Sequence, residues 1–137
     1  MSVDRSELLR MLVLDVIADD YENLDMVTAE VEKSSSRCGL SVRPDEVRLA
    51  LVTLIETGLA KAFRLYATMQ PPDEIEGVPP PGDMDNCYFW ITPEGMKIQL
   101  SDYDSWPFDE LGRLRKGWTP PAQDTEDTEE PGDRKTR

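Results

Sequence analysis

One stretch, Val47 to Gly95, constrains the fold of this chain more than any other. Val47, Ala50, Leu51, Leu54 and Ile55 recur at helical spacing and stop at Gly58, a residue that takes the left-handed conformation closing a helix. Lys61-Ala62-Phe63-Arg64-Leu65-Tyr66 follows at once and alternates as a strand does. A second apolar strand is expected at Tyr88-Phe89-Trp90-Ile91. It ends at Thr92-Pro93-Glu94-Gly95, where threonine can cap a new helix and proline suits its first turn.

The elements on either side fit around this unit. A first helix is expected from Asp4 to Ala18, with Asp4 as its cap and Glu7 placed to reach back to it. Leu8, Leu9, Leu12, Val13, Val16 and Ile17 form its apolar stripe, while Met11 and Leu14 lie off the stripe. Such a helix needs cover on more than one side. Either the C-terminal segment supplies that cover or a second subunit does. Asn23 should cap a second helix ending near Ser34, with Leu24, Val27 and Val31 turned inward and Glu22, Asp25, Glu30 and Glu32 outward. Ser34 to Gly39 reads as a loop, and Pro44 opens the third helix. That connection is longer than the three or four residues of a compact helix-turn-helix.

Between the strands, residues 67 to 86 hold five prolines and five acids and no base. Prolines cannot continue a ladder, so a stiff, partly disordered loop is expected. After Thr92 a helix of roughly ten residues should carry Met96, Ile98 and Leu100. Tyr103 to Trp118 is rich in aromatics, and Trp106, Phe108 and Leu111 should pack on the domain or on a second copy. From Thr119 to Arg137 there is no large apolar residue, so this part is expected to be a disordered charged tail. The division is therefore a domain over residues 1–118 and a tail over 119–137.

A helix ending Leu-Ile-Glu-Thr-Gly-Leu, a strand, a hairpin loop and Tyr-Phe-Trp-Ile-Thr-Pro-Glu-Gly together resemble the winged-helix domains of bacterial MarR- and PadR-type regulators. The resemblance covers about Arg5 to Leu100 as a pattern of elements. It implies an α+β, mainly α fold: a winged helix-turn-helix with a two-stranded wing from about Ala60 to Ile91 and a C-terminal helical, aromatic segment. The expected core is Leu8, Leu12, Val16, Leu24, Val27, Val47, Leu51, Leu54, Leu59, Phe63, Leu65, Phe89 and Ile91. Regulators of this kind are usually dimers, which places Met11, Leu14, Trp106 and Phe108 at a homodimer contact.

In winged-helix DNA binders the helix before the wing enters the major groove and the wing reaches backbone or minor groove. By position, the exposed face here carries Arg43, Arg48, Leu49, Val52 and Thr53, with Lys61 and Arg64 on the first wing strand. Asp45 and Glu46 share the helix start. The formal net charge is −13, and up to Asp104 there are 20 acids against 9 bases. Duplex affinity rests largely on phosphate neutralisation, so this balance disfavours DNA. The reading that leads is a non-enzymatic regulatory or adaptor protein contacting a protein partner or itself; the alternative is a sequence-specific DNA-binding regulator.

Enzymatic chemistry has little to start from. Histidine is absent, which removes the commonest metal ligand and the commonest general base at neutral pH. Asp19 with Asp20, and Asp83 with Asp85, lack the alternation and glycine of a calcium loop. Cys38 and Cys87 lack any metal or redox spacing and read as free thiols. No cofactor is expected. No apolar run approaches the roughly 18 residues of a membrane span, and no secretory pattern opens the chain, so a cytoplasmic location is expected.

Overall fold

Asp4 closes the first helix from outside: its carboxylate accepts the backbone N–H of Glu7 at 2.8 Å and its carbonyl that of Leu8 at 3.0 Å. The computed structural model describes residues 4–19, 21–64 and 71–121. In chain order these form α1 (Arg5–Asp19), β1 (Glu22–Asn23), α2 (Leu24–Arg37), α3 (Pro44–Glu56), β2 (Ala60–Arg64), β3 (Asp73–Ile75), β4 (Tyr88–Ile91) and α4 (Pro93–Ser101), with 3-10 turns at Pro81–Asn86 and Asp102–Ser105. A strand between the first two helices and a hairpin after the third give the winged-helix arrangement that the resemblance implied.

The sheet is antiparallel in the order β1-β4-β2-β3. The expected hairpin forms, with Ala60 opposite Ile91 and Phe63 opposite Tyr88. It is not two-stranded: Glu22–Asn23 joins the outer edge of β4, and Asp73–Ile75 pairs with the free edge of β2 through Ala62, Phe63 and Arg64. Both additions are too short for an alternating pattern to show, and β3 carries one apolar residue. They exist because a central hairpin leaves unpaired backbone groups on each side, and any extended neighbour can satisfy them. Leu65 and Tyr66, expected in the strand, lie outside the described residues.

The helix ends correct one expectation. α2 does not stop near Ser34 but continues to Arg37, and Ser35 is buried on its inner side. The stop is set by Gly39 at φ +83°, where Leu40 N–H reaches back to the Ser35 carbonyl at 2.8 Å and the Leu40 side chain enters the core. This is the glycine closure also found at the end of α3, where Leu59 N–H reaches the Leu54 carbonyl at 2.9 Å. The connection between α2 and α3 is correspondingly shorter than the sequence suggested. Asn23 caps α2 and Thr92 caps α4 as expected, the latter accepting Gly95 N–H at 3.0 Å. The Thr92 hydroxyl also donates to the Gly58 carbonyl at 2.7 Å, so one side chain joins the end of α3 to the start of α4.

Alternation along β2 and β4 turns Ala60, Ala62, Phe89 and Ile91 inward. The opposite face carries Phe63 and Trp90, which both pack on Tyr21, Phe63 edge-on with ring centroids 5.2 Å apart and Trp90 tilted at 4.6 Å. Leu8, Leu12, Leu24, Val27, Val47, Leu51, Leu54, Phe89 and Ile91 are buried as expected. Val16, Leu59 and Phe63 are only half-buried. Leu65 lies outside the described residues.

α1 is the central element, touching α2, α3, β4 and α4. Met11 and Leu14 are 2% and 0% exposed within this one chain. These two of the four positions assigned to a dimer contact are therefore core within one chain. α4 and the turn after it are fastened onto α1 by Arg10, whose guanidinium bonds both oxygens of Asp102 at 2.9 and 3.0 Å, and by Gln99 donating to Asp15 at 3.3 Å. Met96 and Leu100 do not turn inward; both are exposed, with Ile98 half-buried.

The aromatic segment then runs back to the end of α2. Phe108 is buried with the Arg37 guanidinium 4.6 Å from its ring centre, Trp106 packs edge-on to it, and Trp118 donates to the Cys38 carbonyl at 3.3 Å. Trp106 is half-buried against the core, and Leu111 is exposed within this one chain, on a turn held by Asp109. Packing continues past Trp118, since Pro121 is buried and the Pro120 ring lies over Gly39. The rest of the expected tail, from residue 122, lies outside the described residues.

Candidate nucleic-acid interface on α3 and the wing

α3 buries Val47, Leu51 and Leu54 and leaves its other side to solvent. Arg43 is its N-cap and is exposed. Leu49 is 66% exposed and Thr53 is exposed, while Arg48 and Val52 are half-buried. Leu49, Ala50 and Thr53 line one wall of a groove of about 850 Å³ whose other wall is the start of α1, from Asp4 to Arg10. Arg5 crosses this groove to Glu46, with its nearest approach at 2.9 Å.

Alternation separates the two basic residues of β2. Lys61 falls on the face with Phe63 and Trp90, and Arg64 on the face with Ala60 and Ala62 that looks toward the helices. The structure thus gathers Arg48 and Arg64 on one side of the hairpin and leaves Lys61 on the other.

The segment expected to be a partly disordered loop is ordered structure over residues 71–86. Met84, 1% exposed, fixes the 3-10 turn in the core beside α2, and the buried Cys87 thiol donates to the Asp83 carbonyl at 3.2 Å. With Met84 pointing in, its neighbours Asp83 and Asp85 point out. Asp85 meets Arg48 at 3.1 Å and Asp83 approaches Arg64 at 3.7 Å; Arg48 also donates to the Pro81 carbonyl at 3.3 Å. On the far side of the hairpin, Glu74 of β3 meets Lys61 at 3.0 Å. Arg43 lies 3.5 Å from Asp45 and 3.6 Å from Glu46. Each of the four basic residues assigned to the face has a carboxylate of its own chain beside it.

Partial burial raises the Glu46 carboxyl, but the Arg43 N–H bond to it and the hydrogen bonds and charge of Arg5, with the charge of Arg43, hold it below the ordinary glutamate value. It is therefore an anion fixed at the start of α3, favourable for the helix dipole and unfavourable for an approaching phosphate. The acids surrounding this face gave a clear signal in the sequence as a count; which base each would meet did not. Cys38 and Cys87 are free and buried, and burial pushes both thiols up. Among the described residues no group of three or more side chains is arranged to hold a metal, and no helix is long and apolar enough to cross a membrane.

No protein-family model matches the chain, and a search of curated proteins gave no match. Among solved structures, the chain is similar to the X-ray structure of a PadR-like transcription factor from Bacteroides fragilis. The two share 15% identity and superpose with a TM-score of 0.50 over 74% of this chain and 82% of the other. The likeness is one of fold, and the fold of this chain is a winged helix.

Proposed function

We propose that this chain is a winged-helix transcriptional regulator that meets duplex DNA through the exposed half of α3 and the adjoining end of β2. The observation that carries the reading is the position of Arg43, Arg48, Leu49 and Thr53 on the solvent face of the helix preceding the wing, the face such folds present to a major groove. The solved structure it resembles in fold is described as a transcription factor, which supports the same reading. Arginine at Arg43 and Arg48 suits phosphates or guanine edges. The acidic surroundings set the strength: few cations are free to neutralise phosphates and displace their counterions, so binding is weak and its salt dependence is that of a small number of phosphate contacts.

The test is fluorescence anisotropy of a labelled duplex at low and at physiological salt, with wild type and with Arg43→Ala combined with Arg48→Ala. Wild type should bind at low salt, and the double substitution should weaken binding by about tenfold or more. Absence of binding at the lowest salt, or binding indifferent to both arginines, would remove the DNA reading.

A second reading rests on a separate observation. Leu49, 66% exposed, stands over a groove shared with α1 in which Leu9 and Ala50 are the apolar floor and Asp4 and Glu7 part of the rim. An apolar centre with a charged rim is the composition of a protein contact. Leu49→Asp with Val52→Asp, in a protein that keeps its fold, should abolish capture of such a partner in a pull-down; undiminished capture would exclude this face.

A further inference from the structure

We propose that the 3-10 turn Pro81–Asn86 is an autoinhibitory element that holds Asp83 and Asp85 over the cations of the DNA-facing surface, in the place where phosphates would lie. The inference rests on the DNA reading above and specifies how that face is regulated. Three observations carry it. The turn is anchored: Met84 is 1% exposed, Cys87 is fully buried, and the Cys87 thiol bonds the Asp83 carbonyl, so the two carboxylates are positioned by the core. The pairing bridges two elements: Asp85 is 3.1 Å from Arg48 and Asp83 3.7 Å from Arg64, one partner on α3 and one on β2. Arg48 is further held by the Pro81 carbonyl at 3.3 Å, so both ends of the same turn grip one guanidinium.

A carboxylate beside an arginine presents oxygens and negative charge much as a phosphate does. These pairs are surface pairs, with side-chain exposures of 36% and 65% for Arg48 and Asp85 and 58% and 47% for Arg64 and Asp83. Such pairs contribute little to stability and exchange readily. The turn therefore lowers affinity without closing the face: DNA must displace two carboxylates, and those carboxylates remain nearby to repel it. Neutralising them removes both penalties.

The experiment compares duplex binding of the full chain as wild type, as Asp83→Asn with Asp85→Asn, and as Glu30→Gln with Glu32→Gln. The last pair changes net charge equally but sits on the exposed side of α2. A fourth protein, Glu74→Gln, tests the pair with Lys61 on the opposite face of the hairpin. The turn variant should bind about tenfold more tightly than wild type at low salt, with a salt dependence steeper by up to about two phosphate contacts. The α2 control and Glu74→Gln should each gain much less. Equal gains in the turn variant and the α2 control would overturn the proposal and leave the DNA reading standing, since net charge alone would then explain both. A gain for Glu74→Gln matching that of the turn variant would overturn the assignment to this turn. If neither wild type nor the turn variant binds at the lowest salt, the DNA reading fails and the proposal with it. Circular dichroism and thermal melts verify that each variant keeps the fold.

Discussion

α1 and α3 each carry apolar residues outside their main stripe, and the structure treats them in opposite ways. Met11 and Leu14 on α1 are 2% and 0% exposed, whereas Leu49 on α3 is 66% exposed. The difference lies in what comes later in the chain. α1 receives the sheet on one side and α4 with its following turn on another, fastened by Arg10 to Asp102 and Gln99 to Asp15. On α3 the later Pro81–Asn86 turn meets Arg48 and leaves Leu49 uncovered. An apolar residue off the stripe is core where a later segment reaches it and surface where none does, and the spacing within the helix does not distinguish the two.

The largest effect that would break this comparison is at Leu14. Leu14→Ala should lower stability by about 2–5 kcal/mol, because it leaves a cavity in a packed site. Leu49→Ala should change stability by no more than about 0.5 kcal/mol. Denaturant titrations of the two variants make the check; similar losses would mean that Leu49 is covered or that Leu14 is not.

A smaller effect tests how the cover on α1 is held in place. Gly95 starts α4 so close to the end of α3 that a side-chain carbon there would lie 2.3 Å from the Leu59 carbonyl oxygen and 2.7 Å from Ile91 Cγ1. Gly95→Ala should therefore cost about 1–3 kcal/mol by forcing these elements apart, despite alanine being the better helix former. A melt unchanged or raised in the variant would show that the junction gives way freely.

The same contrast explains what the sequence made readable. The helix stripes, the caps at Asp4, Asn23 and Thr92 and the Ala60–Arg64 with Tyr88–Ile91 hairpin were legible because each depends on neighbours within a few residues. The end of α2 was misplaced because three serines look like a loop, while the closing signal was the Gly39-Leu40 pair after them. β1 and β3 were missed because two or three residues cannot show a period; the edges of the hairpin recruit them. The face on α3 was legible as positions, since Arg43, Arg48, Leu49 and Thr53 follow from helix geometry. Its electrostatics were not. Composition counted acids near the wing, but Met84 as the anchor that points Asp83 and Asp85 at Arg64 and Arg48 depends on contacts distant in sequence.

The proposed DNA reading turns α3, not the covered α1 side, to the duplex. The most direct measurement is backbone amide NMR of the labelled protein titrated with duplex at low salt, where binding is strongest. Shifts and broadening are expected to concentrate from Arg43 to Thr53 and at Arg64 with the Pro81–Asn86 turn, with Leu100 to Ser105 on the α4 side unaffected. Changes centred on Leu100 to Ser105, or no change at any duplex concentration, would contradict that reading.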